Sequence, residues 1–177
     1  TAPRPDVRFA GRPVLLQQDA GGWQAVVGLP LDTPPGEQSV EIGPEARRLA
    51  FQVSAKAYPE QRLTVKNPKM VSPDPDDLDR IAAERERQLK VRSQFRDVPV
   101  ARTDLDLPTA GRLSSRFGLR RVFNGEPRAP HTGLDVAAPM GAPIRAPADG
   151  VVSLVDDLYF NGKTVFVDHG QGFVSMV

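Results

Sequence analysis

His131 and Asp135 are the residues whose types and spacing admit chemistry. They lie in the stretch from Pro130 to Pro147, PHTGLDVAAPMGAPIRAP, with Gly133 between them, and His131 is one of only two histidines in 177 residues. A neutral imidazole and a carboxylate held close together form half of a site for a divalent metal such as zinc. Spacing alone does not deliver this. On an extended strand four residues span about 13 Å, too far to share one ion. On a helix the two would face the same way, but Pro130 and Gly133 oppose a helix. The segment is therefore expected to be extended and bent, with Gly133 allowing the bend that turns both side chains to one point.

Short strands separated by Gly and Pro turns must do the positioning. From Val98 onward Leu113 to Gly118 reads as a strand ending in a glycine turn. Ile144 to Ala146 and Val151 to Val155 flank a hairpin-like break at Pro147 to Gly150. Asn161-Gly162 is a two-residue hairpin signal joining Val155–Phe160 to Lys163–Asp168. Gly172 to Met176 is a further strand.

Upstream, residues 6 to 66 carry period-2 alternation: Val7 and Phe9, Val14 and Leu16, Trp23 to Leu29, Val40 and Ile42, Leu49 to Val53, Leu63 and Val65. One face of each run is buried and the other solvated. About six such strands with turns between them predict a small antiparallel sandwich. Trp23 is read as core in preference to a ligand platform.

Between the two β regions the pattern changes. Prolines at 68, 73 and 75 break the chain. Asp74 or Asp76 then caps a helix, with Asp76, Asp77 and Asp79 in its first turn. Leu78, Ile81, Ala82 and Leu89 form a thin apolar stripe. Arg80, Arg85, Arg87, Lys90 and Arg92 raise the idea of a nucleic-acid helix. The interleaved Asp79, Glu84 and Glu86 favour a solvated, ion-paired linker instead.

Composition sets outer bounds. The 23 basic and 22 acidic residues nearly cancel, so nothing points to nucleic acid or an anionic membrane as partner. The absence of cysteine excludes disulfides, thiolate metal sites and a cysteine nucleophile. No apolar run approaches the ~20 residues of a membrane span, and the residues given contain no charged-then-apolar signal pattern. The opening Thr1-Ala2-Pro3-Arg4-Pro5 has the look of a processed start.

Residues 111 to 172 contain, in order, SSRFGLR, HTGLD, GAPIRAPADGVV and TVFVDHGQG. In that order and spacing the four blocks resemble the lysostaphin/LytM-type family of zinc metalloendopeptidases, which cut peptide bonds of bacterial peptidoglycan. The N-terminal part, with GLPLDTPPGEQSVEI, more loosely resembles the β-sandwich domain that precedes the catalytic domain in some exported members.

The resemblance implies Zn2+ as cofactor, with His131 and Asp135 as its first two ligands. In the family the third ligand is the second His of a later H-x-H. The first His of that pair, with another following the strand after the DHG turn, assists the attacking water. Neither element falls within residues 1–177. The expectation is therefore a C-terminally truncated chain with no catalytic histidine, inactive by itself, with an exposed apolar edge near Val174, Met176 and Val177. His169, in Asp168-His169-Gly170, is expected to be structural, since that family position is not a ligand.

The expected fold is mainly β: a small antiparallel β-sandwich over 1–67, a Pro-rich break and linker helix over 68–97, and an incomplete antiparallel β metallopeptidase domain over 98–177. The expected function is zinc-dependent cleavage of peptidoglycan peptide, in the periplasm or cell envelope. The alternative is a non-catalytic LytM-like domain that binds and activates other cell-wall hydrolases; the intact His131–Asp135 pair favours the enzyme. A weaker idea is that the N-terminal domain and helix cover the cleft and regulate access to it.

Overall fold

The computed structural model describes residues 3–64 and 73–177. Within them the chain is mainly β, with several antiparallel sheets and one helix. Val65, Pro68 and most of the expected break before the helix lie outside the described residues.

The first sheet has the order β2-β1-β5-β6, built from β1 (Val7–Phe9), β2 (Arg12–Pro13), β5 (Gly36–Ile42) and β6 (Arg47–Val53). A hairpin of β3 (Leu15–Asp19) and β4 (Gly22–Val26) supplies the facing layer. Val7, Val14, Leu16 and Val40 are buried together, with Phe9, Trp23, Val27, Ile42 and Phe51 packed against them. These are the residues at alternating positions, so the period-2 pattern marks the buried face. Trp23 is part of this packing.

The seventh strand departs from expectation. β7 (Glu60–Leu63) does not join the first sheet. It runs parallel to β9 (Arg120–Phe123), in the order β10-β9-β7, with β10 at Glu126–Pro127. It is a parallel pairing beside the antiparallel ones expected downstream. Parallel strands need a long crossover, and here the connection from Leu63 to Arg120 includes the helix. Sequence alternation gives a strand's faces but not its partner.

The helix, α1 (Pro75–Ser93), has Asp74 as its N-cap and Pro75 at its start. Its inward residues are Asp77, Ile81, Glu84, Gln88 and Val91, spaced four and three apart as one helical face requires. The stripe expected from Leu78 and Leu89 is exposed instead. Val91 anchors the face, packing with Leu158 and Phe166, and with Leu154 and Val174 around them. The helix is therefore docked along one narrow face, while its other faces are solvated and carry ion pairs. Glu84 explains why hydrophobicity misled: this carboxylate is buried because it accepts from Arg80 Nε at 2.7 Å and from the Tyr159 N–H at 2.8 Å.

The sheet beneath has the order β12-β13-β14, from β12 (Val151–Leu158), β13 (Gly162–Gly170) and β14 (Phe173–Met176). Leu158 pairs with Gly162, so the loop between β12 and β13 is three residues, Tyr159 to Asn161. Gly162 has φ +68° and closes the turn from within the strand. A two-residue turn was expected; a three-residue loop closed by a left-handed glycine uses the same Asn-Gly pair. Ile144 to Ala146 form no strand, and Ile144 is exposed. Finally, β8 (Arg112–Ser115) and β11 (Asp135–Ala137) form a two-stranded ladder.

Candidate metal centre

The β8–β11 ladder sets Asp135 opposite Ser115. His131 precedes β11 and is fixed by its backbone. Its N–H donates to the Leu119 carbonyl at 2.9 Å, and its carbonyl accepts from the Gly118 N–H at 2.7 Å. Gly118 has φ +87°, and a Cβ there would stand 2.1 Å from the Tyr58 ring. Only glycine fits both the turn and that close approach. The bend expected at Gly133 is present, but without a positive φ. A Cβ at Gly133 would lie 3.5 Å from His131 Nε2, in ordinary van der Waals contact.

The imidazole is held just as closely. His131 is buried, and its Nδ1 lies 3.0 Å from the Arg116 carbonyl and 3.0 Å from Ser115 Oγ. A carbonyl can only accept, so Nδ1 carries the hydrogen. The Nε2 lone pair is then the free face of the ring, and it lies 3.2 Å from Asp135 Oδ1. Two acceptors at that distance repel unless a proton or a metal ion lies between them. The pair therefore fits a metal ion: one imidazole nitrogen, its opposite nitrogen fixed by a carbonyl as metal-ligating histidines commonly are, and one carboxylate. The other carboxylate oxygen, Asp135 Oδ2, faces Arg121 Nη2 at 3.6 Å.

His169 lies in β13, in a different sheet. Its Nδ1 is 2.7 Å from the Asp149 carbonyl, its Nε2 is 2.9 Å from Ser175 Oγ, and its ring packs on Phe173. Both nitrogens are occupied by protein partners in a buried setting, leaving no lone pair for a metal. Among the described residues, no group of three or more His, Cys, Asp or Glu side chains is placed to hold a metal. The structure thus brings His131 and Asp135 together and keeps His169 apart.

Sequence reasoning missed Ser115, Arg116 and Arg121. Ser115 and Arg121 reach the site through side chains set by strand register, and Arg116 through its backbone carbonyl. The SSRFGLRR run places them beside the site, yet no spacing rule says which of its side chains turns inward.

The chain has relatives over these segments. Residues 129–177 match the model described as Peptidase family M23, and residues 1–56 match the Peptidase family M23 N-terminal domain. A stretch of 65 residues is 37% identical to the peptidoglycan DD-endopeptidase ShyA of Vibrio cholerae, covering 36% of this chain and 15% of that protein. Another of 61 residues is 41% identical to the DD-carboxypeptidase/endopeptidase Mpg of Neisseria meningitidis serogroup B, covering 34% of this chain and 14% of that protein. The matches therefore span about a seventh of those curated relatives. The fold is similar to the crystal structure of a Pseudomonas aeruginosa protein assigned to peptidase M23, with a TM-score of 0.78 and 40% identity, over 99% of this chain and 66% of that one.

Proposed function

Residues 129–177 belong to peptidase family M23 and residues 1–56 to the M23 N-terminal domain, and from that premise we propose that the chain is part of a zinc-dependent endopeptidase acting on the peptides of bacterial peptidoglycan. One observation carries the reading. His131 Nε2 faces Asp135 Oδ1 at 3.2 Å, with Nδ1 engaged by the Arg116 carbonyl. The relatives with printed activities, ShyA and Mpg, are named as endopeptidases, and ShyA as acting on peptidoglycan.

In this proposal His131 and Asp135 hold the metal. When bound, it supplies Lewis-acid polarisation of a peptide carbonyl and a water of lowered pKa. The chain's own residues set the stage. The Arg116 carbonyl and Ser115 hydroxyl lock the His131 ring, and the β8–β11 ladder fixes Asp135 beside it. The substrate class places the protein outside the cytoplasm, in the periplasm or cell envelope. No helix among the described residues is long and apolar enough to cross a membrane.

Catalytic zinc is held by about three protein ligands with one open position. The His131–Asp135 pair supplies two donors, so these 177 residues by themselves bind zinc weakly and turn over little peptide. The second reading is a LytM-like domain that binds and activates other cell-wall hydrolases without cutting; the intact His131–Asp135 pair favours the enzyme over it.

Zinc titration of the purified protein, with His131→Ala and Asp135→Ala alongside, separates the two. The enzyme reading expects zinc binding that either substitution abolishes, and any conversion of cross-linked muropeptides to be stopped by a chelator. Zinc binding indifferent to both substitutions, or cleavage that persists in chelator, overturns it. Absence of zinc binding, joined to stimulation of a separate hydrolase, establishes the second reading.

A further inference from the structure

We propose that Arg121 is a positioning residue for the Asp135 carboxylate, holding one oxygen so that the other is presented beside His131. The inference rests on the reading of His131 and Asp135 as metal donors.

The two oxygens of Asp135 have different neighbours. Oδ1 is 3.2 Å from His131 Nε2, and Oδ2 is 3.6 Å from Arg121 Nη2. A carboxylate divided in this way turns one oxygen into the site and keeps the other outside it. The Asp135 side chain is half-exposed, at 52%, so packing alone does not fix its rotamer. Something charged has to.

Arg121 is suited to that task. It stands in β9, the middle strand of the order β10-β9-β7, and its side chain is only 26% exposed. Asp135 is its ion-pair partner among the described residues. The Nε of Arg121 is covered and makes no hydrogen bond. The nearest register position on β7 is Gln61, whose Oε1 is likewise covered and without a partner. An unpaired donor and an unpaired acceptor on adjacent strands complement each other, and a small shift of either side chain joins them. Gln61 is thereby placed to brace Arg121 from behind. The segment before the helix then forms part of the support of the site. Arg121 Nε is covered, and Nη2 is the atom that meets Asp135.

The charge arrangement also fits a supporting part. Arg120 is drawn to Glu60 and Arg128 to Glu126, which leaves Arg121 to Asp135. A carboxylate that ligates a metal is commonly held by such an outer partner, and loss of that partner weakens metal binding by roughly 10–100-fold.

The test is zinc affinity, measured by competition with a chromophoric chelator on the purified protein, together with the thermal midpoint with and without zinc. Arg121→Gln is expected to weaken zinc binding about 10-fold while circular dichroism stays unchanged. Arg121→Lys, which keeps the charge, is expected to restore most of the affinity. Gln61→Leu, which leaves Arg121 and Asp135 in place, is expected to weaken binding by a smaller factor and guards against a misfolded Arg121→Gln. Equal or tighter zinc binding by Arg121→Gln overturns the proposal, because Arg121 would then be a counter-ion that metal must displace. The metal reading is judged separately: if His131→Ala and Asp135→Ala also leave affinity unchanged, that reading has failed, whatever Arg121 does.

Discussion

The side-chain amide of Gln171 pairs with the backbone of Leu16 as a neighbouring strand would. Its Oε1 accepts from the Leu16 N–H at 3.0 Å and its Nε2 donates to the Leu16 carbonyl at 3.1 Å. The same Nε2 reaches the Val98 carbonyl at 3.2 Å, and Oε1 also accepts from Arg4 at 2.9 Å. Gln171 is buried, sits in the turn between β13 and β14, and has φ +50°. One side chain thus joins the N-terminal hairpin, the segment after the helix and the central strand of the last sheet.

Gln171→Leu is expected to destabilise the protein by about 2–3 kcal/mol, because it leaves buried backbone groups of Leu16 without their partners. For a chain of this length that is a fall of roughly 5–10 °C in the thermal midpoint. Gln171→Glu sets a carboxylate oxygen against the Leu16 and Val98 carbonyls and is expected to destabilise at least as much at neutral pH. Differential scanning calorimetry checks both. An unchanged midpoint for Gln171→Leu would show that the first sheet is held by other contacts.

The buried carboxylate of Glu84 is the hinge of helix docking. Glu84→Ala removes the acceptor of the Tyr159 N–H and is expected to cost about 1–2 kcal/mol. Glu84→Gln keeps an acceptor and is expected to cost less. Urea denaturation of the two variants gives the comparison; equal losses would mean that charge, not hydrogen bonding, holds Glu84 inside.

Acid is expected to weaken a second contact of the same helix, Arg87 with Asp156. The hydrogen bond from Arg87 Nε, at 2.8 Å, holds the Asp156 carboxyl below the usual carboxylate range, with desolvation opposing it more weakly. A carboxyl whose folded pKa is depressed stabilises the fold above its unfolded value, near 3.9, and loses that stabilisation as pH falls through the lower folded value. Wild-type stability should therefore decline below about pH 4, and Asp156→Asn should decline less. Denaturant midpoints taken between neutral and strongly acid pH decide this, and identical slopes for the two proteins would remove Asp156 from the account.

These cases show what the sequence reveals and what it conceals. The β strands of the first sheet are legible because alternation is a local signal, and Val7, Leu16 and Val40 are where it places them. The pairing of His131 with Asp135 is legible because the HTGLD block carries it. The buried face of α1 is not legible, since Glu84 on that face looks like a surface residue until Arg80 and Tyr159 are seen to satisfy it. The β7–β9 pairing is hidden for a different reason: it joins positions 60 apart, Glu60 to Arg120 and Leu63 to Phe123, and no local pattern encodes a partner at that distance. Arg121 follows from that pairing and was hidden with it.

Gly118 and Tyr58 provide the sharpest test of how the site is held. Gly118 donates its N–H to the His131 carbonyl at 2.7 Å, and a Cβ added there would meet the Tyr58 ring at 2.1 Å in a backbone with φ +87°. Gly118→Ala therefore carries two penalties, a left-handed conformation worth about 1–2 kcal/mol and a clash worth about 1–3 kcal/mol. Tyr58→Ala removes the clash but not the backbone strain. In the Tyr58→Ala background, Gly118→Ala should cost only about 1–2 kcal/mol, so the double-mutant cycle should show a coupling of at least about 1 kcal/mol. Zinc affinity should fall with Gly118→Ala and partly recover in the double variant, because the turn at Gly118 fixes the backbone of His131. Additive stabilities in the cycle would show that Tyr58 moves aside freely, and the segment before β7 would then have no part in holding the metal-binding turn.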